Sequence, residues 1–140
     1  MCPFETFDHT ADIGLRITAA TLDELFAEAG KALFAVLLEN PASIETSEMV
    51  ELQVHAEDLA YLLADWLREL LYVFDTQHLV LGAFQVRVNE RRKTLSALCS
   101  GERLDWSKHR PGTEVKAVTY HGLRVEKRRD GWIAEVILDI

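Results

Sequence analysis

The chain has 140 residues, 49% of them hydrophobic, and a formal net charge of −8. That length and apolar content are enough for one domain, residues 1–140, with a real core. The acidic balance argues against a protein whose main task is gripping phosphate backbones, because such binding rests on clustered Lys and Arg; it leaves contact with a basic partner protein open.

No repeat, low-complexity tract or linker-like shift in composition divides the chain. The first residues, Met1 to Glu5, have neither the positive n-region nor the apolar h-region of a secretory signal. The most apolar segment, Leu59 to Phe74, is interrupted by Asp65, Arg68 and Glu69 and is not a membrane span. Cys2 and Cys99 lie far apart and fit no metal-ligand spacing, so they read as a terminal thiol and a small strand residue. The expected location is the cytoplasm, with no membrane partner.

Phe4 to Phe7 reads as a short first strand, and Ile13 to Ala19 as a second, with Ile13, Leu15 and Ile17 alternating against Gly14 and Arg16. Thr21-Leu22-Asp23-Glu24 has the form of a capping box and opens a helix. Leu22, Leu25, Phe26, Ala29, Leu33, Val36 and Leu37 then give that helix one apolar stripe, and Asn40-Pro41 ends it. Met49 to His55 is a strand with one wet face, on which His55 falls. Glu57 or Asp58 begins a second helix with a broader stripe from Leu59 through Trp66 to Phe74, which is core rather than a ligand box. The remainder is strand and turn: Leu79 to Val88, Thr94 to Ser100, Glu114 to Thr119, Leu123 to Lys127 and Trp132 to Leu138. Turn signals separate them at Asn89, Gly101, Pro111-Gly112, His121-Gly122 and Asp130-Gly131, the last a strong hairpin signal. The order predicts an α+β fold with two helices packed on one face of a largely antiparallel or mixed β-sheet. There is no doubly wound pattern, Gly-rich phosphate loop or nucleophile elbow.

The polar stretch Asp8-His9-Thr10-Ala11-Asp12, between Phe7 and Gly14, puts two carboxylates, an imidazole and a hydroxyl into one expected connection between strands. Such connections carry binding groups, but Asp, Thr and Gly are also ordinary turn formers, and on spacing alone the turn is the better reading. Lys116 to Gly122, with Thr119, Tyr120 and His121, is a strand end running into a turn, and spacing alone says no more. At the C-terminus the apolar run Val136-Ile137-Leu138 stops at Asp139-Ile140. Asp12, Asp139 and the main-chain carboxylate of Ile140 would suit a hard cation, which takes about six to eight oxygens for Ca²⁺ and about six for Mg²⁺. That requires the last strand to lie near the first. No Cys/His set points to zinc.

These residues carry a resemblance. Phe4-Glu5-x-x-Asp8-His9-Thr10-Ala11-Asp12-Ile13-Gly14-Leu15, Thr21-Leu22-x-Glu24-Leu25-Phe26 and Ala56-Glu57-Asp58-Leu59 resemble the archease family. So do Asp105-x-x-Lys108-His109, Glu114-Val115-Lys116-Ala117-x-Thr119-Tyr120-His121 and the terminal Asp139-Ile140. The resemblance implies the archease fold and a non-catalytic protein cofactor of the RtcB-type RNA-splicing ligase. Such a protein stimulates metal- and GTP-dependent guanylylation of the ligase, and so repeated turnover in tRNA splicing or RNA repair. It further implies a divalent cation, Ca²⁺ in crystals with Mg²⁺ or Mn²⁺ as cellular candidates, at Asp12, Asp139 and Ile140, with Lys116 close by. Asp8, His9 and His121 are further functional candidates. Two other classes compete: a metal-dependent phosphoester hydrolase using His9 or His121 as base, and a chaperone-like interaction protein, which would need an exposed apolar patch.

Overall fold

The computed structural model describes residues 3–9 and 12–140; of Asp8 and His9 it describes the backbone. Cys2, Thr10 and Ala11 lie outside the described residues, as do the expectations placed on them. In chain order the elements are β1 (Phe4–His9), β2 (Asp12–Ala19), α1 (Leu22–Leu37), β3 (Glu48–His55), α2 (Leu59–Tyr72), β4 (Leu79–Asn89), β5 (Thr94–Arg103), β6 (Ala117–Val118), β7 (Arg124–Arg128) and β8 (Gly131–Asp139).

The α+β class and the two helices are as expected, and every strand pairing is antiparallel. The strands divide into two sheets rather than one. The larger runs β1-β2-β8-β6, with β7 also paired to β8; the smaller runs β3-β5-β4. Each helix touches both sheets: α1 packs on β4 and β2, and α2 on β3, β6 and β7. Leu15, Ile17, Ala134, Val136 and Leu138 from the larger sheet meet Leu25, Phe26, Leu62, Leu67 and Leu70 from the helices, all fully buried in one core. The outer face of the smaller sheet is wet, with Glu51, Gln53, His55, Gln85, Arg87 and Ser96 exposed, as the alternation of β3 requires.

Both helix starts are set by local chemistry. Thr21 Oγ1 accepts from the Glu24 N–H at 3.2 Å, and an Asp58 carboxylate oxygen accepts from the Tyr61 N–H at 2.8 Å. Such caps contribute about 1 kcal/mol each. Trp66 is fully buried in the middle of the α2 stripe, and its indole N–H donates to the Phe26 carbonyl of α1 at 2.8 Å. Gly30 lets α1 approach its neighbours: a Cβ there would stand 3.0 Å from the Phe84 ring and 3.2 Å from Leu70.

Four local expectations are corrected. The Leu59–Phe74 stripe is not one helix, because after Tyr72 the chain widens into a π turn, Val73–Gln77, that carries Phe74 and Asp75. Gly101 is not a turn residue but a buried member of β5, where a Cβ would collide with the Val80 carbonyl oxygen of β4. The two-residue turn before β8 is Arg129-Asp130, and Gly131 already pairs with Arg128. The expected strand Glu114–Thr119 shrinks to Ala117–Val118. The residues ahead of it bond elsewhere: the Gly112 N–H donates to the Leu37 carbonyl and the Thr113 N–H to the Val36 carbonyl, each at 2.8 Å. These carbonyls belong to the last turn of α1, which has no partners of its own there.

Candidate functional site

The polar stretch near the N-terminus lies mainly at strand ends. Asp8 and His9 close β1 and Asp12 opens β2, with His9 and Asp12 directly paired. Gly14 has a specific reason to be glycine. Its cross-strand partner is Phe7, and a Cβ on Gly14 would stand 2.0 Å from the Phe7 ring, far inside contact distance. The ring therefore lies across the β2 backbone, and the Arg16 guanidinium sits 4.9 Å from its centroid on the far side from Asp12.

β8 is the central strand of this region. On one side it pairs with β2, in a register that sets Asp139 opposite Asp12, Ile137 opposite Gly14 and Glu135 opposite Arg16. On its other side Ala117 pairs with Asp139, and the Lys116 N–H donates to the Asp139 carbonyl at 2.7 Å. Asp12 and Asp139 thus stand side by side on one face, and residues so paired have Cβ atoms about 4.5–5.5 Å apart. Both are half-buried; Ala117 shares their face, and the exposed Lys116 next to it falls on the other. The last strand lies against β2, with the first strand one place further out; this pairing brings Asp12 and Asp139 together, and Lys116 is joined to Asp139 through the main chain. Ile140 follows directly after Asp139. His121 is not brought to them. From Ala117 to Thr119 the chain steps from Asp139 back to Ile137, and His121 is an exposed residue of the turn before β7.

Among the described residues no group of three or more His, Cys, Asp or Glu side chains is placed to hold a metal. The position offers two carboxylates with main-chain oxygen next to them. Hard oxygen donors without imidazole or thiolate fit Ca²⁺, Mg²⁺ or Mn²⁺ and do not fit zinc.

Beyond Phe7 the same outer face carries a ladder of ion pairs across four strands. Arg16 bridges Glu5 and Glu135, Arg124 bridges Glu135 and Glu126, and Arg128 reaches Glu126. Burial works to raise the Glu135 carboxyl, but Arg124 and Arg16 outweigh it and hold the group below its ordinary value. The ladder commits Arg16, Arg124 and Arg128 to neighbouring acids.

Sequence reasoning missed one cluster. His109 is a buried polar residue at 0% exposure; its Nδ1 accepts from the Asp105 N–H at 2.9 Å, so its Nε2–H faces Glu102 Oε2 at 3.0 Å. Lys108 Nζ donates to both Glu102 oxygens, at 3.0 and 2.8 Å, and the Glu45 N–H adds a further bond at 2.8 Å. Lys108 first, then that N–H, hold the Glu102 carboxyl down to about 2. Asn40 pins the same loop, donating to the Lys108 carbonyl and accepting from the Arg110 N–H. The anchored loop leads directly into Glu114–Lys116. The signal was the Lys108-His109 pair, two groups that call for an acid once one of them is buried.

An α+β protein whose second and last strands lie side by side, with a carboxylate on each at the paired ends, is the class that fold and site define. Comparison with known proteins narrows it. The model of the Archease protein family (MTH1598/TM1083) matches residues 4–140. The chain is 41% identical over 143 residues to protein archease of Pyrococcus furiosus, covering 100% of both chains. It is 36% identical over 140 residues to protein archease of Sulfurisphaera tokodaii, again covering 100% of both. The solution structure of Methanobacterium thermoautotrophicum protein 1598 superposes with a TM-score of 0.86 at 34% identity, covering 100% of each chain. The chain belongs to the archease family.

Among the described residues no helix is long and apolar enough to cross a membrane.

Proposed function

We propose that this chain is a non-catalytic activator of an RtcB-type RNA-splicing ligase in the cytoplasm, stimulating the metal- and GTP-dependent guanylylation that lets the ligase turn over in tRNA splicing or RNA repair. The observation that carries this reading is the pairing of Asp12 with Asp139, with Lys116 hydrogen-bonded to the same residue. Asp12, Asp139 and the main-chain oxygen of Ile140 would hold a divalent cation, which supplies positive charge near a polyphosphate when bound. The anchored 105–113 loop fixes the approach to Lys116, so these groups are held in place before any partner arrives.

The rival classes have less support. A hydrolase would want a base beside the carboxylates; His121 sits in the turn away from them, while the backbone of His9 pairs with Asp12, so turnover by the protein alone is the observation that decides this rival. A chaperone-like protein would want an exposed apolar face, and both helical stripes are spent in the core. The deciding experiment is transfer of labelled GMP from GTP to the ligase histidine, with and without this protein in substoichiometric amount, and with the other nucleoside triphosphates for comparison. Stimulation of ligase guanylylation is the expected result. No stimulation, or turnover of a phosphoester by this protein alone, would contradict the reading.

A further inference from the structure

We propose that the cleft between the π turn Val73–Gln77 and the 106–116 segment receives an arginine side chain of a partner protein, held between the Trp106 ring and the carboxylates of Asp75 and Glu114. The cleft measures about 730 Å³, with Phe74 and Val115 in its lining, Asp75 and Glu114 at its acidic part and Lys116 as its one basic residue.

Three observations lead there. First, Trp106 is 56% exposed on the cleft wall. A wet indole face is the best of the protein surfaces for a cation, and Trp and Arg are the residues that anchor protein interfaces most often. Second, neither Asp75 nor Glu114 takes part in an ion pair among the described residues, although the neighbouring cations do. Lys108 is held by Glu102 and Glu45, and Arg110 by Glu39. Burial, and then the Glu114 charge, push the Asp75 carboxyl up, with His78 opposing them. The two acids are therefore close enough to repel each other. Third, the walls are preformed. The Gly112 and Thr113 N–H groups are bonded to α1, and His109 and Asn40 hold the loop behind them. Single π turns occur often at functional sites, and this one carries Asp75.

The chemistry selects the occupant. Two carboxylates against one ammonium leave a single negative charge, which one guanidinium complements. A planar guanidinium can stack on the indole and fork to carboxylate oxygens at once, which a lysine ammonium cannot. The acids repel the phosphates of a nucleotide. The cleft involves neither Asp12 nor Asp139, and its assignment stands whether or not the ligase reading holds.

The test is NMR titration of the full chain, labelled with nitrogen-15, using acetyl-Gly-Arg-Gly-amide and the same peptide with citrulline, the neutral isostere of arginine. The arginine peptide should produce saturable shifts of the Trp106 indole N–H and the Thr113–Lys116 amides while the buried Trp66 indole stays still. The citrulline peptide should bind at least about fivefold more weakly. The Asp75→Asn/Glu114→Gln variant, which keeps shape and removes charge, should lose the preference for arginine. Equal binding of the two peptides, an unchanged preference in the double variant, or no saturable shift with either peptide would overturn the proposal. Saturation of the same signals by inorganic triphosphate would assign the cleft to anions and overturn it too.

Discussion

Phe7 lies across Gly14, its partner on the neighbouring strand, in the β1–β2 hairpin that ends at Asp12. A methyl group on Gly14 has to displace the ring. Gly14→Ala should therefore cost about 1–3 kcal/mol through overpacking. In a Phe7→Ala background the nearest atoms that the added methyl would meet are gone, so the same substitution should cost at least about 0.5 kcal/mol less. Denaturant unfolding of the four proteins in the cycle measures this. Additive losses would mean that the ring moves aside freely and that Gly14 serves only the backbone.

The fully buried Trp66 links α2 to α1 through the Phe26 carbonyl. Trp66→Ala should destabilise the protein by about 3–5 kcal/mol. Near-native stability of that variant would mean that the core closes around the gap, and the central place given to this side chain would be wrong.

The Glu102 carboxyl carries a signed pH dependence. Its folded value of about 2 lies below its ordinary 4.5, so the unfolded chain binds the proton more readily. Its contribution to stability is complete above about pH 4.5 and is lost as pH falls toward about 2. Glu102→Gln should lower the melting temperature at pH 7, and the gap to the wild type should close over that acid window. A gap independent of pH between 2 and 7 would show that Glu102 acts through packing rather than charge.

Asp12→Asn removes a charge and keeps the shape of a strand residue. Ligase guanylylation should lose its stimulation, while the unfolding midpoint stays close to that of the wild type. Full stimulation together with a marked loss of stability would make Asp12 a structural residue of the hairpin.

Much of the fold is legible in the sequence because periodicity and caps are local. Thr21 and Asp58 mark the two helix starts, and the alternation in β3 and β8 shows in the residues themselves. Strand pairing is not local. Nothing in β2 or β8 alone says that they are neighbours, so the division into two sheets and the meeting of Asp12 with Asp139 come only from the folded chain. The shortening of β6 is likewise a competition. The N–H groups of Gly112 and Thr113 could join a ladder or close the end of α1, and the unpaired helix carbonyls win. Glu102 escaped notice because a strand-end Glu is unremarkable until a buried His109 and a Lys108 converge on it. The family resemblance covers the whole chain and named Lys116, which spacing alone left as an ordinary strand end. It also named His121, which the register leaves in an exposed turn.

The central claim is that the paired carboxylates hold a cation, and calorimetric titration of Ca²⁺ into the wild type and Asp139→Asn tests it most directly. That substitution removes one negative charge from a site built on oxygen donors, where charge supplies much of the affinity. The wild type should bind one Ca²⁺ per chain, and the variant should bind at least about tenfold more weakly. Equal affinity in the two proteins, or no binding heat in the wild type, would contradict the account and leave Asp12 and Asp139 as neighbours at the end of a sheet.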